Sequence, residues 1–369
     1  MDRRIFIRDC AIAVASGLAL NSLDIPDLSA SADKSWKAPI LGVIRWDGNF
    51  LGSEWAKYVS DSKWRNRWPF YAKEIEGGKR AEIIGDKQDV LENEIAVASK
   101  YGIDYWAFCY YNQFADHKKY NYGLERYLRS TQKSTPNFSV IFQGTHTGDK
   151  NYWPSFSNQL IELFKDPRYQ TIEGRPLVFG YDIGEFVLNF GDVSEVNRAL
   201  EQLKEKTVSS GLKEPFIVGQ NLERHHRKIE FDALSFYTAN GGGKFGEYPH
   251  ESLVAANRGS WNEVKDWNKN IIPLGNLGWD GRPRLDHPKY GHYYRGPFYT
   301  PATFEQIRAQ IVSEVEWMKE NNQAEYPNTM LLYAWNEFGE GGIAIPTLER
   351  GEDVLKGIKA GMELAGRVV

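Results

Sequence analysis

Apolar residues recur along the chain in short runs, each cut off by turn-formers and each followed by a longer, more polar stretch. The first run is Pro-Ile-Leu-Gly-Val-Ile-Arg-Trp at 39–46; others lie at 103–111, 138–142, 176–181, 216–219, 233–237, 271–274 and 330–335. Runs of this length read as strands buried on both faces. Between them, helical patterns are predicted from Asp86 or Asp89 to about Gly102, then over 120–133, 153–164, 193–208, 252–268, 304–319 and 351–365. Only the fifth connection, Glu223 to Asp232, leaves little room for a helix. Eight strands in strict alternation with helices predict an α/β fold, a single (β/α)8 TIM barrel over residues 33–369 with a long first βα loop, Glu54 to Gly85. An open doubly wound sheet alternates similarly, but no Gly-x-Gly-x-x-Gly follows the first strand.

The last run ends abruptly in Trp335-Asn336-Glu337-Phe338-Gly339-Glu340-Gly341-Gly342. Were the backbone to turn helically there, the Cβ atoms of Glu337 and Glu340 would lie within about 5–6 Å. Two close carboxylates suit glycosidic cleavage, where one acid protonates the leaving oxygen and the other acts as base or nucleophile. The plainer alternative is a pair of solvated loop charges; the glycines and the expected barrel mouth weigh against it. In a barrel the strand ends form the site. The candidates there are Trp46, Asp47, Tyr110, Tyr111, Asn112, Gln143, His146, Asp182, Gln220, Tyr237, Trp279, Asp280, Arg282, Trp335 and Asn336. Amides, acids and rings together suit a polyhydroxylated ligand, although each alone also reads as a turn-former or a strand-end aromatic.

Composition narrows the function classes. A net charge of −4 over 369 residues leaves no electrostatic footprint for nucleic acid. The 12 Trp, 20 Tyr and 19 Phe exceed what a core strictly needs, and ring faces suit sugars. His225 and His226 diverge on any regular element and lack a cysteine nearby, so no metal and no cofactor is expected. His146 has no Gly-x-Ser-x-Gly nucleophile to serve, and Cys109 sits inside an apolar run as inert core. Asn240 to Lys244 lacks P-loop spacing. At the N-terminus, Arg3-Arg4, an apolar stretch from Ala11 to Leu20 and Ala30-Ser31-Ala32 read as a cleavable export signal over residues 1–32, twin-arginine-like. The expected location is periplasmic or secreted, with no membrane span in the mature protein.

Three stretches carry a family likeness: Gly102-Ile103-Asp104-Tyr105-Trp106-Ala107-Phe108-Cys109-Tyr110-Tyr111, Gly278-Trp279-Asp280-Gly281-Arg282-Pro283-Arg284, and 333–342. Together they resemble the glycoside hydrolase family 99-like proteins, over about Ile40 to Thr347. The resemblance implies a (β/α)8 fold and a glycosidase of α-linked glycans. It implies Glu337 as the base that deprotonates a sugar 2-hydroxyl, which attacks the anomeric carbon, and Glu340 as the acid that protonates the leaving group and then activates water, with retention. The chain departs from the established hydrolases at Phe338-Gly339, where Trp and His are typical, a difference that bears on sugar identity. The partner expected is an oligo- or polysaccharide; a non-catalytic glycan-binding protein and a glycan-modifying transferase are the alternatives.

Overall fold

The computed structural model describes residues 37–114, 116–132 and 135–367. The expected export signal, residues 1–32, lies outside the described residues. Strands β1 (Ile40–Arg45), β2 (Tyr105–Tyr110), β3 (Asn137–Gln143), β4 (Arg175–Tyr181), β5 (Phe216–Gln220), β6 (Ala233–Ser235), β7 (Asn270–Ile271), β8 (Leu274–Asn276) and β9 (Thr329–Tyr333) make a curled parallel sheet. Its nine-strand order is β7-β6-β5-β4-β3-β2-β1-β9-β8: β1 to β7 follow one another in chain order, β8 pairs with β9 at the other end, and β1 meets β9. The seventh predicted strand is therefore two short ones, divided by Ile272 and Pro273. Proline has no N–H to give a ladder and marks such breaks. The half before it pairs with β6, and the half after it pairs with β9. Ile272 N–H donates to Leu234 O at 2.8 Å while Leu331 N–H donates to Pro273 O at 2.9 Å, so consecutive residues of one segment bond to β6 and to β9, the strands next to the two ends of the order.

Alternation within the strands sorts side chains into two cores. Ile44, Tyr105, Ala107, Cys109, Phe179, Val218 and Leu331, drawn from five strands, meet one another on the concave side. Their neighbours Val43, Trp106, Phe108, Val178, Ile217 and Leu332 pack outward in the larger core, beneath the helices. Those helices are α1 (Gln88–Lys100), α2 (Tyr122–Arg129), α3 (Trp153–Phe164), α4 (Ile183–Phe190), α5 (Val193–Ser209), α6 (His250–Glu263), α7 (Phe304–Glu320) and α8 (Asp353–Leu364). A capping box in which Thr303 and Gln306 satisfy each other's backbone N–H groups starts α7. Helix α4 was not expected from the sequence; it follows Asp182, whose φ of 58° turns the chain sharply after β4. The fifth connection holds only a short 3-10 turn, Arg224–His226, as its length required.

The long first loop, which lacked periodicity, is a mosaic: a short helix (Glu54–Tyr58), a 3-10 stretch (Ser62–Arg67) and a hairpin joining Lys73–Ile75 to Arg80–Glu82. It docks on the segment after β9, where Phe70 N–H donates to Pro346 O and Leu348 N–H to Trp68 O. That docking brings Trp55 and Arg67 over the ends of the strands. Among the described residues no helix is long and apolar enough to cross a membrane.

Candidate active site

After β9 the chain forms a hairpin in place of the helical turn considered for the acid pair. Asn336–Glu337 (β10) pairs antiparallel with Gly342–Ile343 (β11), and the intervening turn closes through Glu340 N–H and Gly341 N–H, both donating to Glu337 O at 3.1 and 2.9 Å. Gly341, at φ 88°, takes the left-handed conformation that suits glycine. A Cβ on Gly278 would stand 2.4 Å from Gly341 O, so only glycine lets the neighbouring segment close on the turn. There Asp280 N–H donates to Glu340 O at 2.6 Å.

The hairpin converges both acids on one group, Arg284. Its Nη2 donates to Glu337 Oε2 at 3.0 Å and its Nη1 to Glu340 Oε1. Three phenols complete the shell: Tyr237 donates to Glu337 Oε1 at 3.2 Å, Tyr294 to Glu340 Oε1 at 2.8 Å, and Tyr333 to Glu340 Oε2. The guanidinium lies over the rings of Trp55 at 4.9 Å, Trp46 at 5.2 Å and Tyr294 at 5.7 Å. Cation–π contact of this kind gains strength where water is excluded. Glu337 is fully buried, and burial together with the charge of Glu340 pushes its pKa up; Arg284 and Tyr237 oppose the rise. Burial likewise raises the Tyr333 phenol well above its ordinary value, so it stays a hydrogen-bond donor.

Of the expected site residues, Tyr237, Trp46, Trp279 and Asp280 reach this cluster. Trp46 donates its indole N–H to Tyr111 at 2.9 Å, and Gln143 donates to the same phenol at 3.1 Å. His146 packs on Tyr111 with ring centroids 5.0 Å apart. Its half-burial and the nearby His117 lower its pKa to about 4 and keep it neutral. These residues form a second wall beside Trp46. Trp279 faces Tyr333 and Tyr294. Asp182 accepts from Thr145 farther along the same edge.

Others are turned away. Tyr110 and Trp335 fall on the outward parity: Tyr110 packs on Phe156 of α3 and Trp335 on Trp106. Asn112 accepts from Phe114 N–H and Gln159, tying the loop after β2 to α3. Asp47 and Asn336 act beneath the site: Asn336 accepts from Trp46 N–H at 3.0 Å and reaches Asp47 at 3.4 Å, while Arg45 donates to Asp47 at 2.9 Å. Gln220 is fully buried and donates to Phe236 O. Arg282 pairs with Asp280 and stacks on Phe298 at 3.9 Å, so the arginine between the acids is Arg284, two residues on. Arg67, from the long loop, holds Asp280 and the Phe338 carbonyl.

Sequence reasoning missed Arg284, Tyr294 and Tyr333. Tyr333 shares the inward parity of Leu331, a signal present in the strand pattern. Tyr294 stands in a stretch dense in rings, 287–294, that carries no periodicity. Among the described residues no group of three or more His, Cys, Asp or Glu is arranged to hold a metal.

No curated protein matches the chain. Among solved structures, a glycoside hydrolase-like protein aligns at a TM-score of 0.62 and 13% identity, over 88% of this chain and 94% of its own. The GH99 endo-α-mannosidase from Bacteroides thetaiotaomicron aligns at a TM-score of 0.56 and 14% identity, over 89% of this chain and 99% of its own. At such identities the likeness is one of fold, and it bears out the family 99-like resemblance of the sequence. The family described as "Glycosyltransferase WbsX" matches residues 125–358, from α2 through the glutamate hairpin into α8. A match over more than half of its length makes this chain a member of the WbsX family, a family 99-like group.

Proposed function

We propose that the chain is a glycoside hydrolase acting on an α-linked glycan or polysaccharide. In this reading the sheet closes as a (β/α)8 barrel over residues 33–369, with residues 1–32 directing export. The observation that carries it is the pair Glu337 and Glu340, set on one hairpin turn and held together by one arginine. Glu337 takes the proton of the sugar 2-hydroxyl as O2 attacks the anomeric carbon. Glu340 gives its proton to the departing oxygen as that bond breaks. Water then adds at the anomeric carbon, losing a proton to Glu340, while O2 leaves that carbon and recovers its proton from Glu337. Two inversions give retention. A carboxylate whose pKa is raised is the stronger base once ionised, which suits Glu337 to an alcohol proton. Trp46, Tyr111, Gln143, His146 and Trp279 supply ring faces and hydrogen bonds for the flanking sugars.

A transferase is the second reading, favoured by the description of the family. The same base would activate an acceptor hydroxyl. Product analysis on a panel of α-mannans and other polysaccharides, with and without added acceptor glycans, separates the two. Hydrolysis by the wild type, with Glu337→Gln and Glu340→Gln each at least about 10³-fold slower, is the expected result. Cleavage that survives both substitutions removes the acid pair from the mechanism; elongated acceptors and no free sugar favour transfer; binding without turnover favours a glycan-binding protein.

A further inference from the structure

Among the described residues, Arg284 is the one side chain hydrogen-bonded to both acids, and it divides its fork between them, Nη2 to Glu337 and Nη1 to Glu340. An arginine that serves one carboxylate with both nitrogens strengthens a single pair; one that splits the fork fixes the distance between two. The third nitrogen, Nε, is buried without a partner. It faces Gly339, where an added Cβ would lie 2.2 Å from Nε and 2.8 Å from Cζ. The guanidinium has little space to retreat from such a Cβ, since Trp46, Trp55 and Tyr294 close its other sides.

We propose that Arg284, admitted by the missing side chain at Gly339, is a positioning residue that spaces Glu337 from Glu340 and favours the ionised form of Glu337. The inference rests on reading the two glutamates as the working acids. Among the described residues, the titratable groups nearest the pair come from several elements, with Tyr181 stacked behind Tyr237. The hairpin supplies the two acids, β9 supplies Tyr333, and the segment after β6 supplies Tyr237, behind which Cys109 of β2 lies at 3.4 Å. The segment after β8 supplies Tyr294 together with Asp280, the latter neutralised by Arg67 and Arg282. Tyr111 stands one step farther from Glu337. Arg284 is thus the cation in direct contact with both acids, and it opposes the rise that burial and Glu340 impose on Glu337.

The experiment is an NMR titration of the full chain labelled with ¹³C at glutamate carboxyls, Glu337 being assigned by loss of its signal in Glu337→Gln. With Arg284→Gln the Glu337 midpoint should rise by about one unit or more, a tenfold gain in proton affinity. Gly339→Ala should move it the same way by crowding out the guanidinium, and Arg284→Lys, which keeps the charge but cannot span both acids, should move it less. Thermal melts identify which variants are folded, and Gly339→Ala or Arg284→Lys carries the test if Arg284→Gln is not. An unchanged midpoint in a folded Arg284→Gln or Gly339→Ala overturns the proposal. Because no substrate is used, an active glycosidase with an unchanged midpoint sinks only the positioning role, and a shifted midpoint in a chain that cleaves no glycan sinks only the proposed function.

Discussion

Glu314 lies inside α7 with its carboxyl fully buried, close enough to β8 that a Cβ on Gly275 would sit 1.7 Å from Oε1. Gln310 donates to Oε1 at 2.9 Å, and Oε2 has no partner. Burial pushes the pKa to about 8, so the folded chain holds this proton and the unfolded chain releases it near the ordinary glutamate value. The sign follows from linkage: where the folded state binds the extra proton, stability falls as pH rises. The contribution is complete below the unfolded value and is lost as pH climbs through about 8. At roughly 1.4 kcal/mol per unit, several kcal/mol are at stake. Glu314→Gln keeps the acceptor for Gln310 and has nothing to titrate, so it should melt with the wild type at pH 5 and well above it at pH 9. Equal melting temperatures at both pH values would show that Glu314 does not titrate in this range. Residue order carries no sign of this, because a glutamate in an amphipathic helix looks alike whether it meets solvent or a glycine notch in the neighbouring strand. Arg282 and Arg284 pose the same difficulty: two arginines flank one proline, and only packing against Trp46 and Trp55 decides which enters the site.

Strand alternation was readable as a period but not as a phase. The sequence located β2 and its aromatic end, yet Tyr110 and Tyr111 differ only in parity, and parity depends on pairing with β1 and β3. Once that register is set, Tyr111 faces the site and Tyr110 faces α3. The turn after β9 shows a related limit. Glu-x-x-Glu spacing fits a helical turn and a four-residue hairpin turn alike, and the hairpin is selected by contacts with Gly278 and Asp280, more than fifty residues earlier. The same register turns Arg45 outward from β1 to meet Glu94 of α1, both about 1% exposed, with Asp47 beside them. Removing one member of a buried ion pair strands the other charge and costs about 3–5 kcal/mol. Arg45→Met should therefore destabilise by at least that order in urea denaturation, and Arg45→Met with Glu94→Leu should recover part of the loss, since Asp47 also loses its arginine. A double variant no more stable than the single one would place the cost in Asp47 or in packing against Trp106, over which Arg45 lies at 4.8 Å, rather than in the stranded Glu94 carboxylate.

At the scale of the whole chain, the eightfold alternation was legible because each strand ends at turn-formers and each helix carries its own apolar stripe. The exceptions have local causes. Helix α4 is only eight residues long and follows a left-handed turn at Asp182, and Pro273 divides the seventh strand. That division matters for closure. An open sheet has two edges whose N–H groups lack partners and exchange readily. Here the two ends of the strand order are β7 and β8, which are successive in the chain. Ile271 N–H is covered by Gln323 at 2.8 Å, Ile272 N–H is held by β6, and the Pro273 carbonyl accepts from β9. If the ring closes through this segment, opening either end must break strand pairing on both sides at once. In native-state hydrogen exchange, the amides of Ile271, Ile272 and Leu331 should then open with the same free energy as the central amides of β3, and should lose protection together with them in added denaturant. Exchange of 270–276 at a distinctly lower free energy than β3 would mean a sheet with a free edge there, and the strand ends would line an open cleft instead of a closed mouth.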